Sequence, residues 1–178
     1  FVSATHLSLE QVIIDSKSCE KTAIPQLLDL IDLKNSIVTI DAIATSKANA
    51  QKIVDKQGDY ILALKKNNRL LFNEVENFFD NFSQTALICD TFESFDQKHG
   101  RKEVRTCKII SQLNYFPDAQ GWKNLKSLVC IESQRTINDK KKKKKRYYLS
   151  SLNLSKSLFN VRASVSERLS KIASMSAL

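Results

Sequence analysis

The chain has 178 residues, 42% of them hydrophobic, which suits one domain with a real core and excludes a disordered tail. Its 28 basic residues against 19 acidic ones give a net charge of +9, a balance that favours polyanions such as DNA or RNA over acidic partners. No apolar run approaches the roughly 18 residues of a membrane span, and no basic-then-apolar leader opens the sequence.

Only three glycines and two prolines argue against a loop-dominated or repeat-built chain. Cys19, Cys89, Cys107 and Cys130 are scattered, with no C-x-x-C pair. They suggest neither a zinc site nor a disulfide framework, so a reducing cytoplasm is the expected location. The chain starts at Phe1 and its one methionine is Met175, as in the interior of a longer reading frame.

In chain order, residues 1–5 and 9–17 read as two strands joined by a turn near His6. Thr22 is placed to cap the next helix, with Pro25 in its first turn and Leu27, Leu28, Leu30, Ile31 and Leu33 as a broad apolar face. Ile37-Val38-Thr39-Ile40-Asp41-Ala42 is a short β-branched run, a buried strand closed by an acidic residue. Open α/β sheets build their sites at the carboxyl ends of such strands. The plainer reading of Asp41 is a capping or turn carboxylate.

Ser46 then caps a second helix with Ala50, Ile53 and Val54 inward, and Gly58 is expected to end it. Residues 60–64 read as a core strand, and 70–82 as an amphipathic helix burying Leu71, Val75, Phe78 and Phe79. This alternation predicts α/β with parallel pairing. After about Ser83 the pattern becomes β-rich, with strands at 87–95, 104–111, 127–132 and 146–152 and a helical turn near Gly121. They read as an insertion or a second, antiparallel sheet. A last helix starts near Ser155.

Several short motifs combine with this order: Phe1-Val2-Ser3-Ala4, Thr22-Ala23-Ile24-Pro25, Val38-Thr39-Ile40-Asp41-Ala42 and Asp59-Tyr60-Ile61-Leu62-Ala63-Leu64-Lys65. His99-Gly100-Arg101 and Arg146-Tyr147-Tyr148-Leu149-Ser150-Ser151-Leu152 complete the set. Together they resemble the H-repeat-associated transposases of bacterial insertion sequences, a family of the DDE superfamily. The resemblance implies an RNase H-like core, a mixed sheet with flanking helices, followed by a β-rich insertion. The implied division is a partial core at 1–82, the insertion at 83–152, and at 153–178 the start of the final helix.

It also implies DNA cleavage and joining at insertion-element ends, with two Mg²⁺ or Mn²⁺ ions held by three carboxylates. The implied partner is DNA, with a homodimer as the candidate assembly of an intact member, in the bacterial cytoplasm at the nucleoid. Asp41 would match the second acid, both catalytic and metal-binding. The first acid of the family falls on a strand before Phe1. The third falls in a His-Trp-Gly-Ile-Glu-Asn motif that residues 161–170 do not reproduce, and Glu167 there reads as a helix-surface residue. Residues 170–175 can be encoded so that shifted codons spell Ile-Glu-Asn-Ser-Leu-His, which suggests a frameshift between about Phe159 and Leu169. A chain with one acid of three is expected to be inactive alone; a basic DNA-binding remnant is the alternative.

Candidate DNA contacts are Lys65, Arg101, Lys140, Lys141, Lys142, Lys143, Lys144, Lys145 and Arg146. Arg105 is a further candidate for contact with the DNA backbone. The lysine run lies between two strands, where the plainer reading is a solvated hairpin loop. Lys65-Lys66-Asn67-Asn68 departs from the family's Lys-Gly-Asn-Gln and removes an easy positive-φ position.

Overall fold

The computed structural model describes residues 20–81, 89–98, 101–137 and 140–153. The strands expected at 1–5 and 9–17, the turn at His99 and Gly100, Glu167 and the last helix lie outside them. The elements are α1 (Glu20–Leu30), β1 (Ile37–Ile40), α2 (Lys47–Asp55), β2 (Asp59–Leu64), α3 (Arg69–Asp80), β3 (Cys89–Lys98), β4 (Arg101–Ile110), β5 (Ser127–Ile137) and β6 (Lys140–Ser150). Single 3-10 turns lie at Ala42–Ala44 and Ala119–Gly121.

The strands form one six-stranded sheet in the order β1-β2-β6-β5-β4-β3. β1 and β2 are parallel, as the βαβ pattern requires, and every other pairing is antiparallel. This is the mixed α/β sheet of an RNase H-like core. Among the described residues the β-rich half makes no second sheet. Instead β6 returns to pair with β2, Leu62 opposite Leu149 and Ala63 opposite Tyr148, so the antiparallel strands extend the core sheet.

Side chains alternate across the sheet with period two. One face carries Tyr60, Leu62, Leu64, Tyr147 and Leu149, packed with Leu28, Ile53, Val75 and Phe79 from all three helices. The other carries a smaller cluster around Ile61, Ala63, Val129, Ile131 and Tyr148. Phe72 meets Tyr147 edge-on at 5.2 Å between ring centroids, fixing α3 over β6. In α3 the expected Leu71, Val75 and Phe79 are buried, and half-buried Phe78 packs on Phe116.

Local details differ from the expectations where tertiary packing overrides a sequence rule. Helix α1 begins at Glu20, so Thr22 lies inside it and Pro25 falls beyond its first turn. Leu30 is exposed, because the buried stripe of α1 runs through Leu28 toward Leu33 instead. Ser46 does cap α2, its Oγ accepting the Asn49 N–H at 3.2 Å. The helix ends in the paired bonds of a Schellman turn, Gly58 N–H to Ile53 O at 3.0 Å and Gln57 N–H to Val54 O at 2.9 Å. The left-handed residue is Gln57, at φ 60°, and not Gly58.

The lysine run is the largest correction. It is no hairpin loop: Lys140 already belongs to β6, and the run pairs with β5 from Lys140 opposite Ile137 to Lys145 opposite Glu132. Low lysine β-propensity hid the strand, and pairing along the whole of β5 supplies what propensity lacks.

Candidate functional site

Asp41 stands just past the end of β1 and precedes the 3-10 turn, but its side chain makes no capping bond there. The capping role is therefore not the one it plays. Its Oδ2 accepts a bond from Lys65 Nζ at 3.1 Å, across the parallel β1–β2 pair. Burial pushes the carboxyl up, but the Ala42 amide, the Lys65 ammonium and the charge of Arg146 outweigh it and hold the group below its ordinary range. Asp41 is thus ionised at neutral pH, and it remains about half exposed.

Backbone bonds fix this corner. Thr45 Oγ1 donates to Ala63 O at 2.7 Å, and Asn67 Nδ2 to Ala42 O at 2.8 Å. Asn49 Nδ2, buried, donates to Ala44 O at 2.7 Å. The turn after Asp41 is therefore tied both to β2 and to the turn that carries Lys65. That second turn closes through Asn68 N–H to Lys65 O, and Lys66 does not need the positive φ that the lost glycine would have supplied.

A cleft of about 230 Å³ opens here, lined by Asp41, Lys65, Lys66, Lys144, Lys145 and Arg146 with Phe72, Tyr147 and Tyr148. Distant parts of the sequence meet in it because β6 lies beside β2. Lys145 points to the helix side, where its Nζ donates to Asp80 at 2.6 Å and is held protonated by that carboxylate. Lys142 and Lys144 alternate to the Asp41 side with Arg146, and Lys141 and Lys143 to the helix side. Arg101 opens β4 and Lys140 opens β6, far along the strands from Asp41.

Sequence reasoning missed Glu103. This glutamate is buried in a face of cations, its Oε1 accepting Arg105 Nε at 2.9 Å and its Oε2 facing Arg135 Nε at 3.1 Å. Burial pushes its carboxyl up, and the two guanidinium groups more than reverse that, so it titrates low. The i, i+2 spacing of Glu103 and Arg105 was readable as a shared strand face. Arg135 reaches them only through the β4–β5 register, which places it directly opposite Glu103.

Residues 1–165 match the family described as "Transposase DDE domain". The chain belongs to that family. Among its relatives, the chain is 37% identical to "Putative transposase YncI" of Escherichia coli O157:H7, over 89% of this chain and 42% of that protein. It is 34% identical to "H repeat-associated putative transposase YhhI" of Escherichia coli K12, over 89% of this chain and 43% of that protein. An "Uncharacterized protein in dhlA 3'region" of Xanthobacter autotrophicus is 35% identical over 83% of this chain and 50% of its own length. The chain thus spans half or less of the length of these curated relatives. No solved structure matches it.

Two motifs that carried the resemblance interlock in the fold. Ser151 Oγ donates to Asp59 Oδ1 at 2.7 Å and accepts the Tyr60 N–H at 2.9 Å, locking the ends of β6 and β2 together. Among the described residues, no group of three or more His, Cys, Asp or Glu could hold a metal ion. Asp41 with a bound lysine does not by itself fit a divalent cation, which needs several oxygen ligands. No helix among the described residues is long and apolar enough to cross a membrane.

Proposed function

We propose that this chain supplies the Asp41 corner and the DNA-gripping wall of a DDE transposase that cuts and joins DNA at insertion-element ends. On its own it holds DNA without cutting it. The observation that carries this reading is the convergence of Asp41, Lys65, Lys144 and Arg146 on one cleft. One carboxylate at a strand end is what a metal-dependent strand-transfer site takes from this part of an RNase H-like sheet. The surrounding cations suit a phosphodiester backbone, binding it without reading bases.

Cleavage by two Mg²⁺ or Mn²⁺ ions requires further carboxylates around Asp41. With Lys65 as its neighbour, Asp41 in this chain is balanced by a protein cation, and Lys65 would face the scissile phosphate. A nicking assay on supercoiled DNA carrying insertion-element ends, with Mg²⁺ or Mn²⁺, tests both halves. The expected result is no nicking above background, with DNA retention that weakens as salt rises. Metal-dependent nicking lost in Asp41→Ala would overturn the claim of inactivity. Absence of any DNA retention would overturn the reading as a whole.

A further inference from the structure

Beside the Asp41 cleft, on the same face of the sheet, lies a second cleft of about 270 Å³. Glu103, Arg135 and Lys142 form one cross-strand row on β4, β5 and β6, and Arg105, Ser133 and Lys144 the next. Lys65, Arg105, Arg135, Lys142, Lys144 and Arg146 point to this side, and Lys144 and Arg146 line both clefts, so the two adjoin as one groove. Against those cations the two clefts hold only two carboxylates, Asp41 and Glu103.

The opposite face is built differently. There Lys145 pairs with Asp80 at 2.6 Å, and Lys108 with Glu132 at 3.0 Å, so two of its lysines are neutralised by carboxylates of the fold. On the groove side Arg135 stands directly opposite Lys142, a like-charge pair that destabilises a sheet. Cations held side by side at that cost call for an anion. Alternate residues of a strand lie about 7 Å apart, so Arg146, Lys144 and Lys142 step away from Asp41 at an interval that suits successive phosphates of a strand.

We propose that this second cleft is a phosphate-binding site for the DNA strand leaving the Asp41 corner, with Glu103 as the positioning residue that holds the Arg105 and Arg135 forks in place. The direction of the strand rests on the transposase reading; the binding itself does not. A buried acid repels phosphate, yet it fixes two planar guanidinium groups that would otherwise repel each other and swing into solvent. The Glu103 side chain is 3% exposed, whereas those of Arg105 and Arg135 are 22% and 39% exposed, so the anchor is hidden and the forks still reach the cleft. Fixed forks lose less freedom when they grip a phosphate.

The test is fluorescence anisotropy of the full chain with labelled oligothymidylate and with labelled duplex, in EDTA, across a NaCl series. Arg105→Gln with Arg135→Gln should lower the slope of log K against log salt by about 2 on duplex, close to 0.9 for each phosphate released. The control Lys34→Gln with Lys126→Gln removes the same charge elsewhere and should leave the slope nearly unchanged. Glu103→Gln decides the positioning role by sign: a plain charged patch binds tighter once the acid is gone, whereas preorganised forks bind several-fold weaker. Arg135→Lys keeps the charge and should also bind several-fold weaker, with the slope kept. Circular dichroism melts confirm that each variant is folded, and the lysine variant carries the test if Glu103→Gln is not.

Tighter binding by Glu103→Gln, or equal losses in the paired-glutamine variant and the control, would overturn the proposal. If binding falls with Lys65→Gln but not with the arginine changes, this site fails and the transposase reading stands. If the EDTA pattern holds while no assay links the chain to element ends, the site stands without that reading.

Discussion

Replacing Gly58 by alanine would put a Cβ 2.9 Å from the Leu33 carbonyl oxygen and 3.2 Å from both Leu33 Cβ and Ile53 Cγ2. The oxygen belongs to the backbone and cannot swing aside, so the α2–β2 turn and the α1–β1 loop must separate. Overpacking of this kind costs about 1–3 kcal/mol. Alanine's smaller unfolded-state freedom offsets only about 0.4–1 kcal/mol of it. Gln57 behaves oppositely: its φ of 60° is left-handed, which costs an L-residue about 1–2 kcal/mol that glycine would relieve. After glycine's extra unfolded entropy, Gln57→Gly should be neutral or stabilising by up to about 1.5 kcal/mol. Neighbouring positions should therefore respond with opposite signs. Urea unfolding followed by circular dichroism reads this, since about 1.5 kcal/mol moves the midpoint by roughly 0.5 M or more. A Gly58→Ala variant as stable as the parent, with Gln57→Gly destabilised, would refute the assignment of the left-handed position to Gln57.

Four further outcomes are expected. Ile53→Ala, at a fully buried site between α2 and the sheet, should cost about 2–5 kcal/mol in the same urea titration. Asp41→Asn should change stability by less than about 1 kcal/mol, because the Lys65 pair is half exposed; a larger loss would mark Asp41 as a structural residue. Glu103 has a lowered folded pKa, so its contribution is complete above the ordinary glutamate value of 4.5 and is lost as pH falls through the folded value. Acid titration of Glu103→Gln should lack that limb, and a limb identical to the parent's would remove Glu103 from the account. The Cys130 thiol, pushed up to about 12 by burial first and then by Glu132, should resist iodoacetamide near neutral pH and react once the chain is unfolded, as mass spectrometry of the alkylated peptide would show.

Where burial is either continuous along a strand or periodic along a helix, the sequence was enough. β2 and α3 were legible because Tyr60 to Leu64 are all buried and Leu71, Val75 and Phe79 repeat at helical spacing. Asp41 was legible because a lone acid ends a β-branched strand. Its bond to Lys65 was not, since it depends on the parallel register of β1 with β2. The lysine run misled because its alternation is invisible when every residue is the same. Only the partner strand, with Glu132 opposite Lys145 and Arg135 opposite Lys142, separates the two faces. Glu103 hid for a similar reason: in Arg101-Lys102-Glu103-Val104-Arg105 an acid among cations reads as solvated surface, and its second arginine comes from β5.

The insertion of β6 between β2 and β5 sets an order of assembly. β2 leaves the ribosome with its flank unpaired, and its partner residues arrive some 90 positions later, as in Ile61 with Ser150. Such long-range pairing closes a large loop before it is rewarded, which slows folding. During synthesis the Asp41 corner can bring Lys65 into place early, yet Arg146 and Lys144 reach it only after the whole antiparallel run has been made. Among the described strands, the last to be made is the one that charges the groove, so a nascent or misfolded chain that has not docked β6 lacks that groove.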